Sequence, residues 1–117
     1  MSVFVFEPDL IFSSKFDGFS RLVGEGFRIF TDLTTLLEDS RSGKPVALVV
    51  NLDALKMDEL RKLVTIGVPV MGYYSHVNSE MARAAAQSGV SSVVTRGTFV
   101  ANAESLIREL LSRRPSS

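Results

Sequence analysis

Three carboxylates in this chain stand where apolar, strand-like runs end. Glu7 and Asp9 follow "VFVF", and Asp53 lies just past "VALVVN". Brought to one point, Glu7, Asp9 and Asp53 could form an acidic cluster for a divalent cation, since hard cations take carboxylate oxygens. The competing arrangement is structural: Asp9 caps the first helix, and Arg96 neutralises Glu7 or Asp53 in a partly buried pair. Arginine's planar fork suits a permanent carboxylate contact better than lysine does. Between the acids sits Asn51, an amide with no acid–base chemistry of its own, at the end of the third apolar run. Tyr73 and Tyr74 are adjacent and face opposite sides of an extended segment. One is expected in the core and the other, Tyr74, in the crevice with Ser75. His76 follows in the next loop and reads as a solvated residue, because no carboxylate partner for a pH switch is identifiable.

Other chemistries are excluded by what the chain lacks. It has no cysteine, so disulfides, thiolate catalysis and cysteine zinc sites are absent. A single histidine rules out two-histidine metal motifs within one chain. "SSKFDGFSRLVGEG" lacks the Gly, Lys and Ser/Thr order of a phosphate loop, no G-x-G-x-x-G follows the first run, and no G-x-S-x-G elbow exists. Acidic and basic residues balance at 13 each, which leaves no electrostatic footprint for nucleic acid or anionic lipid. The arginines of "RELLSRRPSS" read as a solvated helix end complementing its dipole. No apolar run approaches the roughly 18 residues that span a membrane, and the N-terminus lacks signal-peptide features. The expected compartment is the cytoplasm.

The elements that must position these residues alternate along the chain. Strand-like Val3 to Phe6 precedes a helical stripe of Phe12, Phe16, Phe19 and Val23 at 4-3-4 spacing. Phe27 to Phe30 precedes Leu33, Leu36 and Leu37; Val46 to Val50 precedes Leu60, Leu63 and Val64. "VPVMGYY" leads through Asn78, an expected N-cap, into "EMARAAAQSG", with Gly89 placed as a helix terminator. "SSVVT" leads into a helix carrying Phe99, Ala103, Leu106, Ile107, Leu110 and Leu111. With 45% hydrophobic and 22% charged residues, 117 residues make one globular domain, 1–117, with 113–117 expected as a disordered tail. Five βα units imply an α/β fold: a flavodoxin-like (βα)5 three-layer sandwich with a five-stranded parallel sheet in order 2-1-3-4-5. Its ligand crevice lies at the carboxyl ends of the strands. The expected walls are Glu7, Pro8 and Asp9, then Asn51 and Asp53, then Tyr74, Ser75 and Arg96.

Over its full length the chain resembles the response-regulator receiver (CheY-like) family of two-component signalling. "VPVMGYYSHVNSEMARAAAQSGVSSVVTRGTF" is similar to the receiver stretch in which strand 4 ends on Ser or Thr, an Ala-rich helix ends in Ala-Gly, and strand 5 ends in Lys-Pro-Phe. "VFVFEPDLIF" is similar to the receiver start, and "LVVNLDALKMDELRKL" to its third strand and phosphoacceptor loop. The resemblance implies an aspartate nucleophile after strand 3, acids after strand 1 that hold Mg²⁺, a Ser/Thr after strand 4, an aromatic residue on strand 5 that rotates to report phosphorylation, and a lysine after strand 5.

Carried over residue by residue, these parts are changed. Asn51 falls at the nucleophile, Glu7-Pro8 at the acid pair, Tyr74 at the Ser/Thr, Val93 at the reporting aromatic, Arg96 at the lysine and Gly97 at the proline. The resemblance therefore implies a pseudo-receiver: not an enzyme, without cofactor or metal. It would act through an unidentified protein partner, or as a homodimer through the face of the fourth helix, fifth strand and fifth helix, with Met81, Arg83, Val93 and Thr98 presented. No DNA-binding output domain is expected after the fifth helix. Two alternatives remain: a small-ligand sensor with Tyr74, Arg96 and Asn51 as contacts, or an active receiver phosphorylated at Asp53 in a register shifted by two.

Overall fold

A computed structural model describes residues 2–75 and 79–113. Five strands, β1 (Ser2–Phe6), β2 (Gly26–Phe30), β3 (Ala47–Asn51), β4 (Val70–Tyr74) and β5 (Ser92–Thr95), pair in parallel in the order β2-β1-β3-β4-β5. This is the topology that the alternation of apolar runs and helical stripes predicts. The strands draw mainly on β-branched and aromatic residues, which suit a pleated surface. The central strands carry apolar residues on both faces because helices cover both.

Helices α1 (Leu10–Ser13), α2 (Phe16–Val23), α6 (Arg96–Ala101) and α7 (Ala103–Ser112) pack on one face of the sheet, over a core of Val3, Val5, Phe12, Phe16, Val49, Tyr73, Phe99 and Ile107. Helices α3 (Leu33–Ser42), α4 (Met57–Val64) and α5 (Ser79–Gln87) cover the other, over Phe4, Phe6, Leu36, Leu48, Val50, Leu60 and Leu63. The two cores differ in kind. The first is built on aromatic contacts, with Tyr73 and Phe99 stacked at 5.1 Å and Phe16 edge-on to Phe19 at 5.4 Å. The second is largely aliphatic.

Two expected helices are divided. The first breaks between Ser13 and Phe16, where the hydroxyls of Ser13 and Ser14 donate back to the carbonyls of Leu10 and Ile11 at 3.0 and 2.7 Å. Such back-bonding competes with the helix ladder. The apolar stripe survives the break, because Phe12 and Phe16 are both buried. The last helix divides at Asn102, whose φ of −128° leaves the helical region and whose amide donates to the Thr98 carbonyl.

Gly89 follows α5 at φ +95°, a conformation that favours glycine, in the terminating role its place suggests. Of the expected 113–117 tail, only Arg113 is described; its N–H caps α7 at the Leu110 carbonyl, 3.1 Å away. The expected cap at Asn78 and the loop residue His76 lie outside the described residues.

Candidate functional site

The strand alternation that builds the aromatic core also sets the site. Along β1, Val3 and Val5 face that core, and Glu7, two residues on, continues the same side; its N–H still donates to the Phe30 carbonyl at 3.0 Å. Along β3, Val49 and then Asn51 face the same way, as do Met71 and Tyr73 on β4. Asn51 and Tyr73 are register partners. Glu7, Asn51 and Tyr73 therefore stand in a row across three neighbouring strands at the carboxyl edge of the sheet.

Glu7 is completely buried. Asn51 Nδ2 donates to both of its oxygens at 3.1 Å, Tyr73 OH donates to Oε1 at 2.5 Å, and the Asp9 N–H donates to Oε2 at 3.0 Å. Arg96, the first residue of α6, brings Nη2 to 3.4 Å from Oε1, long for a charge-assisted bond. Its guanidinium lies 4.1 Å above the Phe12 ring, and its Nε is buried without a hydrogen-bond partner among the described residues. The Arg96 side chain is 30% exposed. One cation thus answers the buried acid, with the ring face taking part of the charge. A carboxylate has about four acceptor positions, and the donors around Glu7 occupy them. Burial, and then the Glu7 hydrogen bond, push the Tyr73 hydroxyl well above its ordinary range, so it stays protonated and donating.

The other acids are also engaged. Asp9 is the N-cap of α1 and accepts from Ile11 N–H and Phe12 N–H at 2.9 and 3.2 Å. Asn51 Oδ1 accepts from the Asp53 N–H at 2.9 Å, opening a 3-10 turn over Leu52–Ala54. Asp53 in turn accepts from the N–H and hydroxyl of Ser75, both at 2.8 Å. The turn is seated by Leu52, which drapes over Gly72: a Cβ there would stand 2.8 Å from the Leu52 side chain. Among the described residues, no group of three His, Cys, Asp or Glu is placed to hold a metal ion.

These residues surround a shallow crevice of about 290 Å³, lined by Glu7, Pro8, Asp9, Asn51, Asp53, Ala54, Ser75 and Arg96. Tyr74 is elsewhere: it faces the opposite side from Tyr73 and packs, half-buried, on the aliphatic core. Tyr73 is the residue that sequence reasoning passed over. Alternation shows that the two tyrosines diverge, but only the β3–β4 register shows which one meets Asn51. On the expected docking face, Arg83 and Thr98 are exposed, whereas Met81 is buried in the core and is not presented. The large apolar side chains that the described residues do expose are Leu10, Ile11, Leu22, Ile29 and Val100; Val100 lies on α6, within the expected fifth helix, and none lies on α5 or β5.

No protein-family model and no curated protein matches the sequence. Solved structures do match in shape. A two-component response regulator from Clostridium difficile superposes with a TM-score of 0.82 at 13% identity, over 97% of each chain. A response regulator receiver protein from Pseudoalteromonas atlantica gives 0.81 at 9% identity, over 96% of this chain and 98% of that one. The receiver domain of Ssk1 from Saccharomyces cerevisiae, solved with the histidine phosphotransfer protein Ypd1, gives 0.78 at 12% identity, over 96% and 89%. The chain has the receiver fold. Within that fold, the end of β3 carries Asn51 and the carboxyl ends of β1, β4 and β5 lead into Glu7, Ser75 and Arg96. No helix among the described residues is long and apolar enough to cross a membrane.

Proposed function

We propose that the chain is a receiver-like signalling module that works without phosphorylation, acting through a protein partner or by dimerising. One observation carries this reading: the Asn51 amide donates to both oxygens of buried Glu7. A phosphoacceptor at that position must be an anionic carboxylate, and beside a buried glutamate it would need Mg²⁺ to offset the repulsion. The amide removes both requirements. With Tyr73 and Arg96 also turned onto Glu7, the place where a receiver takes up metal and phosphoryl group is filled by internal bonds. In this reading Arg96 holds the pocket in one permanent state.

A small-ligand sensor has less support, because the crevice stands at the low end of ligand-pocket sizes and Tyr74 does not line it. A receiver phosphorylated at Asp53 would first have to release that carboxylate from Ser75.

Incubation with a small-molecule phosphodonor and Mg²⁺, read by intact mass on the native chain and on Asp53→Ala, tests the proposal. The expected result is no phosphoryl adduct on either. An adduct on the native chain that disappears in the variant overturns the proposal and makes Asp53 the acceptor. Sedimentation at rising concentration then distinguishes a self-associating module from one that needs a different partner.

A further inference from the structure

The helices run antiparallel to the strands they follow, so the carboxyl ends of α3 and α4 meet at the amino edge of the sheet, opposite the Glu7 crevice. A groove of about 500 Å³ opens between them. Arg41 enters it from α3, Lys44 from the loop before β3, and Lys62 from α4; no acid lines it. All three cations are exposed, and none enters an ion pair among the described residues, whereas Arg28, Arg96, Arg108 and Arg113 all do. Of the acids on the two helices, Asp39 pairs with Arg28 and Glu59 accepts from the Lys56 N–H, while Glu38 and Asp58 lie outside the groove lining. Lys44 folds back over the turn after α4, with Nζ 3.5 Å from where a side chain on Gly67 would begin.

Cations at helix carboxyl ends ordinarily complement the dipole. Two helix ends supply about −0.5 elementary charge each, which roughly one cation balances. Three are present, so the groove keeps a surplus of positive charge in a chain that is neutral overall. The hydroxyls of Ser40 and Thr65 are not available as donors, since each gives its proton to a carbonyl of its own helix. Recognition here must run through the ammonium and guanidinium groups, which approach from three directions. Leu37 and Ile66 add an apolar wall. Volume, three-sided positive charge and one apolar wall together fit a compact, multiply charged anion joined to a less polar body.

We propose that this groove binds a phosphorylated small molecule carrying at least two negative charges, held by Arg41, Lys44 and Lys62. The site is independent of the crevice and of whether that crevice is phosphorylated.

Titration of the full chain with inorganic pyrophosphate and with a nucleoside diphosphate, followed by backbone amide NMR, tests the assignment. Expected is saturable binding at millimolar or lower concentration, with shifts centred on Gly43, Lys44, Ile66 and Gly67. Lys44→Gln and Lys62→Gln should each weaken it roughly two- to fivefold, as for exposed charge contacts, and added salt should weaken it further. Both side chains are exposed, so thermal melts of the variants should match the native chain. No saturation, shifts centred elsewhere, or unchanged affinity in the double variant would overturn the proposal. So would an aspartate-rich peptide that binds the same groove more tightly than either phosphate probe.

Discussion

The two edges of the sheet handle charge in opposite ways. At the carboxyl edge, Glu7 is fully buried and accepts from the Asn51 amide, the Tyr73 hydroxyl and the Asp9 N–H, with the Arg96 guanidinium beside it. At the amino edge, Arg41, Lys44 and Lys62 stand in water without carboxylate partners among the described residues. The difference follows from desolvation. A buried carboxylate is tolerated only when hydrogen bonds and a counter-charge replace the water it has lost. Exposed cations keep their hydration and need no partner. A carboxylate already satisfied by its neighbours has little to offer a new ligand, while cations left to water remain free to exchange water for one.

The sharpest way to break this comparison is to remove the buried acid. Glu7→Ala strands the Asn51 amide, the Tyr73 hydroxyl and the Arg96 guanidinium, and should cost about 3–5 kcal/mol by denaturant unfolding. A loss below about 1 kcal/mol would show that water reaches the crevice and the network is slack.

Asn51→Asp should have the next largest effect, about 2–3 kcal/mol at neutral pH, because it swaps a donor for a second carboxylate 3.1 Å from Glu7. The sign of its pH dependence is fixed. Like charges raise the pair's affinity for a proton in the folded state, so the folded variant binds protons that the unfolded chain has released. Its deficit should shrink as pH falls from 7 towards the ordinary carboxylate range, a trend a pH series of unfolding curves would reveal. If Mg²⁺ instead restores the variant at pH 7, the crevice can still accept a metal ion once Asn51 is gone.

Tyr73→Phe should cost about 1–3 kcal/mol, since Glu7 loses a buried donor. The native hydroxyl also gives an alkaline signature. Its folded form holds the proton well above the ordinary tyrosine value of 10.0, so above that pH the unfolded chain ionises first and stability falls as pH rises. Ultraviolet titration should find Tyr73 ionising only together with unfolding. Tyrosinate absorbance attributable to Tyr73 in the folded protein would place the hydroxyl outside the network.

The smallest effect is expected from Arg96→Lys, about 1 kcal/mol, because lysine keeps the charge but loses the planar stack on Phe12. A neutral result would show that charge alone, without the ring contact, serves Glu7.

Much of the fold was legible in the sequence because period and composition agree. Val46 to Val50 reads as a buried strand, and the Phe12–Phe16–Phe19 stripe reads as one helix face. The breaks at Ser14 and Asn102 were not legible, since they depend on side chains bonding back to their own backbone. For the site, Glu7, Asn51 and Arg96 are recognisable as chemistry-bearing residues at strand ends. The exchange of Tyr74 for Tyr73 was hidden because it depends on a one-residue difference in strand phase, which reverses every side chain. The basic groove was hidden for another reason. Arg41, Lys44 and Lys62 look like ordinary surface charges until the two helices bring their ends together.

The Glu7 network also has a consequence for the order of events in folding. Its side-chain partners lie 44, 66 and 89 residues away along the chain, so each bond closes a long loop and forms only when β3, β4 and α6 have docked. Interactions made that late stabilise the native state against escape more than they hasten its formation. In stopped-flow kinetics, Glu7 variants should speed unfolding while leaving the refolding rate nearly unchanged. The carboxyl edge would then act as the fastener that is closed last and sets how long the folded molecule lives.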